Sequence, residues 1–129
     1  MKQFDWSCFI KYAEHNRPIF NNPDIGEASC RSAISRAYYA AFHNAKLFTE
    51  KVLKKPVGSS PHQALQKILL ESGDKQYIKI GNQLRSLHRI RIIADYKSRF
   101  YNNPQASAAK SITWAKKIIE ELKTLKQTT

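Results

Sequence analysis

SCRSAISRAYYAAFHNAKLF, residues Ser29–Phe48, is the stretch whose periodicity decides the fold. At about 100° per residue, Ile34, Tyr38, Ala41, Ala45, Phe48 and, just beyond the stretch, Val52 fall on one narrow stripe. That spacing predicts a helix from about Ile25 to Val52 with the stripe turned to a core. Ala37, Ala40, Ala41 and Ala45 leave room for a neighbouring helix to approach closely. On the opposite side Ser32, Arg36, Tyr39 and His43 line up, with Ala40 and Leu47 flanking them. This second face is less polar than a freely solvated one, so it is expected to meet another protein surface. Ser32 and Tyr39 are the expected interface residues of a homodimer.

The segments on either side are also helical. Strand-like alternation never persists, and the few glycines and prolines sit where helices would stop. A first helix is predicted from about Phe4 to Asn16, ended by Pro18. Asp24 and Glu27 have capping-box spacing for the long helix. After Val52, LKKPVGSSP carries Ser60 as a cap, Pro61 at the first helical position and Gln63 to complete a second box, opening a short third helix that ends at Ser72–Gly73. His62, in its first turn, is expected to face solvent. A fourth helix runs from near Asp74 to about Phe100. Asn103–Pro104 opens a fifth, to near Lys126, with Ile112, Ala115, Ile119 and Leu122 on one face. The expectation is a single all-α domain over residues 1–129, an antiparallel bundle of four to five helices.

Composition excludes several classes. The 129 residues carry 22 Lys+Arg against 10 Asp+Glu, a net charge of +12, with 42% hydrophobic residues. One core is affordable at that length, and the apolar fraction is too high for a disordered chain. No apolar run approaches the roughly 18 residues that span a bilayer. The opening segment has Asp5, Lys11 and Glu14 where a signal peptide needs an apolar stretch, so a cytoplasmic protein is expected. Cys8 and Cys30 cannot form a disulfide framework, and both are expected to be buried free thiols. Histidines 15, 43, 62 and 88 lack the spacing of a zinc site, so neither metal nor cofactor is expected.

The charge is not evenly spread. Glu27–Ser60 holds six basic and two acidic residues, and Asp74–Pro104 holds seven and two. On the fourth helix Tyr77, Ile80, Leu84 and Leu87 form a core stripe that runs on into Arg91, Ala94 and Asp95. Arg91 and Asp95, four residues apart, can pair on that seam. A charged pair there either fixes helix register or holds the arginine for a phosphate. Arg85, Arg89 and Tyr96 share a second face, with His88 between the two. Such a set suits RNA. Arginine binds phosphate bidentately, tyrosine stacks on splayed bases, and a histidine near neutrality can move the 2′-hydroxyl proton without metal. The candidate contacts to RNA or a nucleotide are Arg85, His88, Arg89, Arg91, Asp95 and Tyr96. Arg36 and His43, two turns apart, are the candidate catalytic pair.

Ser35–His43, SRAYYAAFH, resembles the second-helix signature of prokaryotic HEPN-domain proteins, and LHRIRIIADY at Leu87–Tyr96 is similar to the Arg-x-x-Ala-Asp-Tyr variant of that family's later motif. The resemblance covers nearly the whole chain. It implies an antiparallel helical bundle, usually a homodimer, and RNA binding or metal-independent ribonuclease activity in toxin–antitoxin or antiviral defence systems. Some members are paired with a minimal nucleotidyltransferase antitoxin. The family's nuclease pattern is an arginine, four to six intervening residues and then a histidine. With Arg89 in the arginine position and Tyr96 in the tyrosine position, the histidine position falls on Ala94, and Ile90 replaces the polar residue after the arginine. Arg36-x₆-His43 meets the spacing loosely. Two readings follow: an RNA-binding protein with or without ribonuclease activity, and a non-catalytic partner that binds a nucleotidyltransferase or another protein.

Overall fold

The computed structural model describes residues 2–100 and 102–128, and among them there is no strand. Five helices follow in order: α1 (Cys8–His15), α2 (Gly26–Lys51), α3 (Pro61–Leu70), α4 (Lys75–Tyr96) and α5 (Pro104–Thr128), with a 3-10 turn at Arg17–Ile19 after α1. The long helix α2 is the axis of the bundle. It packs against α1, α4 and, along most of its length, α5, while α3 folds back on α4. Its predicted stripe is buried from Ile34 to Phe48, with Val52 packed at the edge of the core. Ile112, Ala115, Ile119 and Leu122 of α5 are buried as their spacing requires, joined by Ala108 and Ile118.

The helix ends show which local signals won. Helix α4 starts beside Asp74 as expected, and Asp74 caps it, its Oδ1 accepting from the amides of Gln76 (2.9 Å) and Tyr77 (3.1 Å). Asn103 Oδ1 takes the amide of Ala106 at the start of α5. The Asp24–Glu27 box does not form. Asn22 Oδ1 accepts from the amides of Asp24 and Ile25, and Glu27 pairs with Arg31 at 3.1 Å. The Ser60 side chain makes no cap, although Pro61 does open α3. Helix α1 starts at Cys8 rather than near Phe4, because the preceding residues fold into an aromatic group in which Phe4, Trp6 and Phe9 meet edge-on or tilted. Cys8 is consequently exposed and only Cys30 is buried, which corrects the expectation for Cys8. Helix α4 stops at Tyr96, short of Phe100. The guanidinium of Arg31, reaching across from α2, donates to the carbonyls of Ala94, Lys97 and Ser98. A side chain from another helix thus satisfies carbonyls that a further turn would have satisfied internally.

The α3–α4 hairpin fixes where the functional side chains lie. At Gly81 an added Cβ would lie 3.1 Å from Leu69 Cβ and Leu70 Cγ, so the glycine lets α3 seat closely on α4. Leu65 and Leu69 are buried there, and Gln66 with them. His62, Leu65, Gln66 and Leu69 follow the i, i+3, i+4, i+7 pattern of one helix face. That face brings His62 against α2 and Gln66 against α4.

Candidate functional site

Arg91 is the centre of the site. It is only 6% exposed, on the buried seam of α4 between Leu87 and Ala94. Its Nη1 donates to Asp95 Oδ2 at 3.4 Å, one helical turn on, and the same oxygen accepts from Ser35 Oγ of α2 at 3.2 Å. Three tyrosine rings surround the guanidinium: Tyr39 at 5.2 Å, Tyr38 at 5.5 Å and Tyr96 at 5.9 Å from their centroids. Each face is attractive to a cation. The Nε of Arg91 is buried with no hydrogen-bond partner. A buried donor left unpaired costs stability, and a site that retains one holds hydrogen-bonding capacity in reserve.

Beside the arginine lies a row of stacked rings supplied by three helices. His62 of α3 and His88 of α4 are nearly parallel, with centroids 5.0 Å apart and planes 7° apart. Phe42 of α2 stacks on His62 at 4.3 Å, and Tyr38 stacks on His88 at 5.3 Å. The Tyr38 hydroxyl and His62 Nδ1 are hydrogen-bonded at 2.6 Å. His88 Nδ1 is within 3.2 Å of Gln66 Nε2. Each histidine therefore uses one ring nitrogen to fix its orientation and keeps Nε2 for other work.

Burial and positive neighbours keep these rings uncharged. The His62 pKa is pushed down to about 4, first by burial and then by the nearby His88, Arg91 and His43. His88 is also lowered, by burial and by the Arg91 charge. Burial pushes the Tyr38 hydroxyl well up, only partly offset by Arg91, so it stays protonated. At neutral pH the site is thus one fixed positive charge, balanced by Asp95, beside two neutral imidazoles.

The sequence-selected residues separate into three groups. Arg91, Asp95, Tyr96, His88 and Tyr39 converge as described, with Tyr96 73% exposed at the rim. Arg85 and Arg89 are exposed on the outer side of α4, and Arg85 donates to Asn82 at 2.9 Å. Arg36 and His43 lie two turns apart on α2, where aromatic residues of the N-terminal segment touch both, although Arg36 stays exposed and His43 adjoins Phe42 at 5.0 Å. Trp6 stacks on His43 at 3.5 Å, and the Phe9 ring carries the Arg36 guanidinium at 5.0 Å. His43 is lowered by burial and by Lys46. On the face expected to meet a second protein, the N-terminal segment contacts Arg36 and His43, while Arg36 stays exposed and Ser32 and Tyr39 are half-buried.

His62 is the main correction. Expected in solvent, it is half-buried against Phe42, Tyr38 and His88, because the α3 face that buries Leu65 and Leu69 also carries it inward. Tyr38 was legible as a core residue but not as a partner of His62. The spacing of His62 with Gln66 and the two leucines was the available signal. Among the described residues no group of three histidine, cysteine, aspartate or glutamate side chains could hold a metal ion. Among the described residues no helix is long and apolar enough to cross a membrane.

An all-α bundle whose second and fourth helices meet around an arginine–aspartate pair defines a helical domain with a polar, cationic centre. The chain belongs to the HEPN family: the HEPN domain model matches residues 23–125, leaving outside it α1, the 3-10 turn and the end of α5. Members of that family are often ribonucleases or nucleotide-binding proteins. Neither the curated proteins nor the solved structures compared with the chain include a significant match.

Proposed function

We propose that this chain is an RNA-binding HEPN protein acting in a toxin–antitoxin or antiviral defence system. The observation that carries the reading is the buried Arg91 guanidinium, held between Asp95 and three tyrosine rings while its Nε stays unpaired. A purely structural pair would gain nothing from a donor left without a partner. A phosphodiester at the edge of the site would add a charge-assisted partner for the guanidinium. Tyr96 at the exposed rim is a stacking surface for a splayed base, and the exposed Arg85 and Arg89 extend the positive field along α4. The surplus of +12 supports electrostatic capture of a polyanion.

Fluorescence anisotropy with a labelled single-stranded RNA, repeated over a range of salt, tests this. Binding should weaken steeply as salt rises and should fall at least tenfold in Arg91→Met. Absence of RNA binding at low salt refutes the reading. The system-level part has its own assay. Induced expression should arrest growth, and co-expression of a cognate antitoxin, for which a minimal nucleotidyltransferase is the candidate, should relieve the arrest.

A further inference from the structure

His62 and His88, which no sequence pattern ties together, stand ring to ring beside Arg91, and their partners fix which nitrogen of each carries the proton. We propose that both serve the Arg91 site as neutral hydrogen-bond donors through Nε2–H, so that the site takes a backbone phosphate of RNA whatever the base. This rests on the RNA-binding reading above and deepens it, adding His62 as a contact, the protonation of both rings and the part of the strand they read.

The proton positions follow from the partners. Tyr38 is 1% exposed, and among the described residues its hydroxyl has His62 Nδ1, at 2.6 Å, as its hydrogen-bond partner. The O–H donates there, since otherwise it would be left buried and unpaired. Nδ1 is then the acceptor, and the ring proton of His62 is on Nε2. Gln66 is also buried and presents its amide nitrogen to His88 Nδ1 at 3.2 Å. That nitrogen only donates, so His88 carries its proton on Nε2 as well. Both partners are buried while both rings are half-buried, so the edge that bears Nε2 is the one left toward solvent.

The surroundings keep the rings neutral and join them to Arg91. Their planes lie 7° apart with centroids 5.0 Å apart, a stack in which two imidazolium charges would repel. Burial and the Arg91 charge lower both pKa values, so each ring donates from Nε2 without being cationic. Arg91 follows His88 by three residues on one face of α4. The Tyr38 ring links all three groups, its centroid 5.3 Å from His88, 5.6 Å from His62 and 5.5 Å from the Arg91 guanidinium. The carboxylate beside them, Asp95, has its Oδ2 committed to Arg91 and Ser35. The guanidinium and the two Nε2–H groups therefore present donors alone. A non-bridging phosphate oxygen offers only lone pairs and suits every member of that set. A base edge mixes donors with acceptors and would set a donor against a donor.

The test uses the full chain and labelled single-stranded RNA. Long-range proton–nitrogen NMR spectra of the free protein should show Nε2 protonated and Nδ1 bare in both rings. The Nε2–H signals should move when RNA is added. His62→Gln keeps an N–H near the place of Nε2 and should bind RNA within about threefold of wild type. His62→Phe keeps a ring between Phe42 and His88 without the donor and should lose about tenfold in affinity. The loss should be equal for oligo-U, oligo-A and oligo-C. Because the lost donor is neutral, the slope of affinity against salt should stay at its wild-type value, whereas Arg91→Met should lower it by about one. A proton on Nδ1 of either ring overturns the proposal. So does wild-type affinity in His62→Phe, a loss that varies with the base, or a reduced salt slope, the mark of an imidazolium. If His62→Phe fails to fold, the wild-type spectra decide, and Nε2 signals unmoved by bound RNA overturn the assignment. Any of these results with RNA still bound by the wild type refutes the donor role alone, whereas no binding at low salt refutes the RNA reading beneath it.

Discussion

Replacing Arg91 by methionine should leave the fold close to its wild-type stability while removing most RNA affinity. The two quantities part because of where the guanidinium sits. The ion pair with Asp95 is long, at 3.4 Å, and the Asp95 side chain keeps 28% of its surface, so its loss costs at most about 1 kcal/mol. The three tyrosine faces lie at 5.2–5.9 Å, near the outer reach of a cation–ring attraction. Together they contribute about 1.5 kcal/mol. Against these losses, methionine removes a buried donor with no acceptor, a relief of about 1–3 kcal/mol, and its flexible thioether packs on the same rings. The net change should lie within about 1 kcal/mol, a melting shift of about 4 °C for a chain of this size. Arg91→Ala removes the aliphatic stem as well and should cost about 2–4 kcal/mol through the cavity it leaves. A lost charge-assisted bond to phosphate is worth about 1.5–3 kcal/mol, or about 10- to 150-fold in affinity. Urea titration gives the stability and RNA anisotropy the affinity, both at neutral pH and fixed salt. If Arg91→Met loses more than about 3 kcal/mol, the guanidinium is structural and the case for a functional charge fails. Unchanged RNA affinity would move the binding site away from Arg91.

Other perturbations follow from the same contacts. His62 and His88 titrate low in the folded protein, so the unfolded chain binds more protons between an ordinary histidine pKa and about 4. Stability should be full above about pH 6.5 and fall as pH drops through that window. Urea midpoints across the range should show that slope, flattened in His62→Gln. Gly26→Ala would place a Cβ 2.5 Å from the Phe20 carbonyl oxygen, so the turn into α2 must shift. Thermal unfolding should report a loss of about 1–3 kcal/mol. Trp6→Ala removes the ring stacked on His43, and NMR titration should find the His43 pKa raised toward its ordinary value. Asp74→Ala deprives the Gln76 and Tyr77 amides of their acceptor and should cost about 1 kcal/mol by urea denaturation.

The helices and much of their inward faces were legible because both are local. Ile34 to Phe48, Ile80 to Leu87 and Ile112 to Leu122 repeat at the helical period, and a residue's face follows from its number alone. Arg91 and Asp95 were legible as a pair for the same reason, being one turn apart on one helix. The exact ends were less so. Whether the Asp24–Glu27 box closes ahead of α2, and whether α4 runs past Tyr96, depended on competing partners, among them Asn22 and, arriving from another helix, Arg31.

By itself, then, the sequence determined an all-helical chain, its core stripes, a basic second and fourth helix, and an arginine set on an apolar seam. Only the tertiary structure decided what that arginine faces. Tyr38 and His62 are 24 residues apart, and Gln66 and His88 are 22 apart, too far for any helical spacing to relate them. Their meeting follows from how closely α3 seats on α4 at Gly81 and how both lie against α2. Periodicity sets which way a side chain points from its own helix. The partner it finds there depends on which faces pack together, a property of the whole bundle.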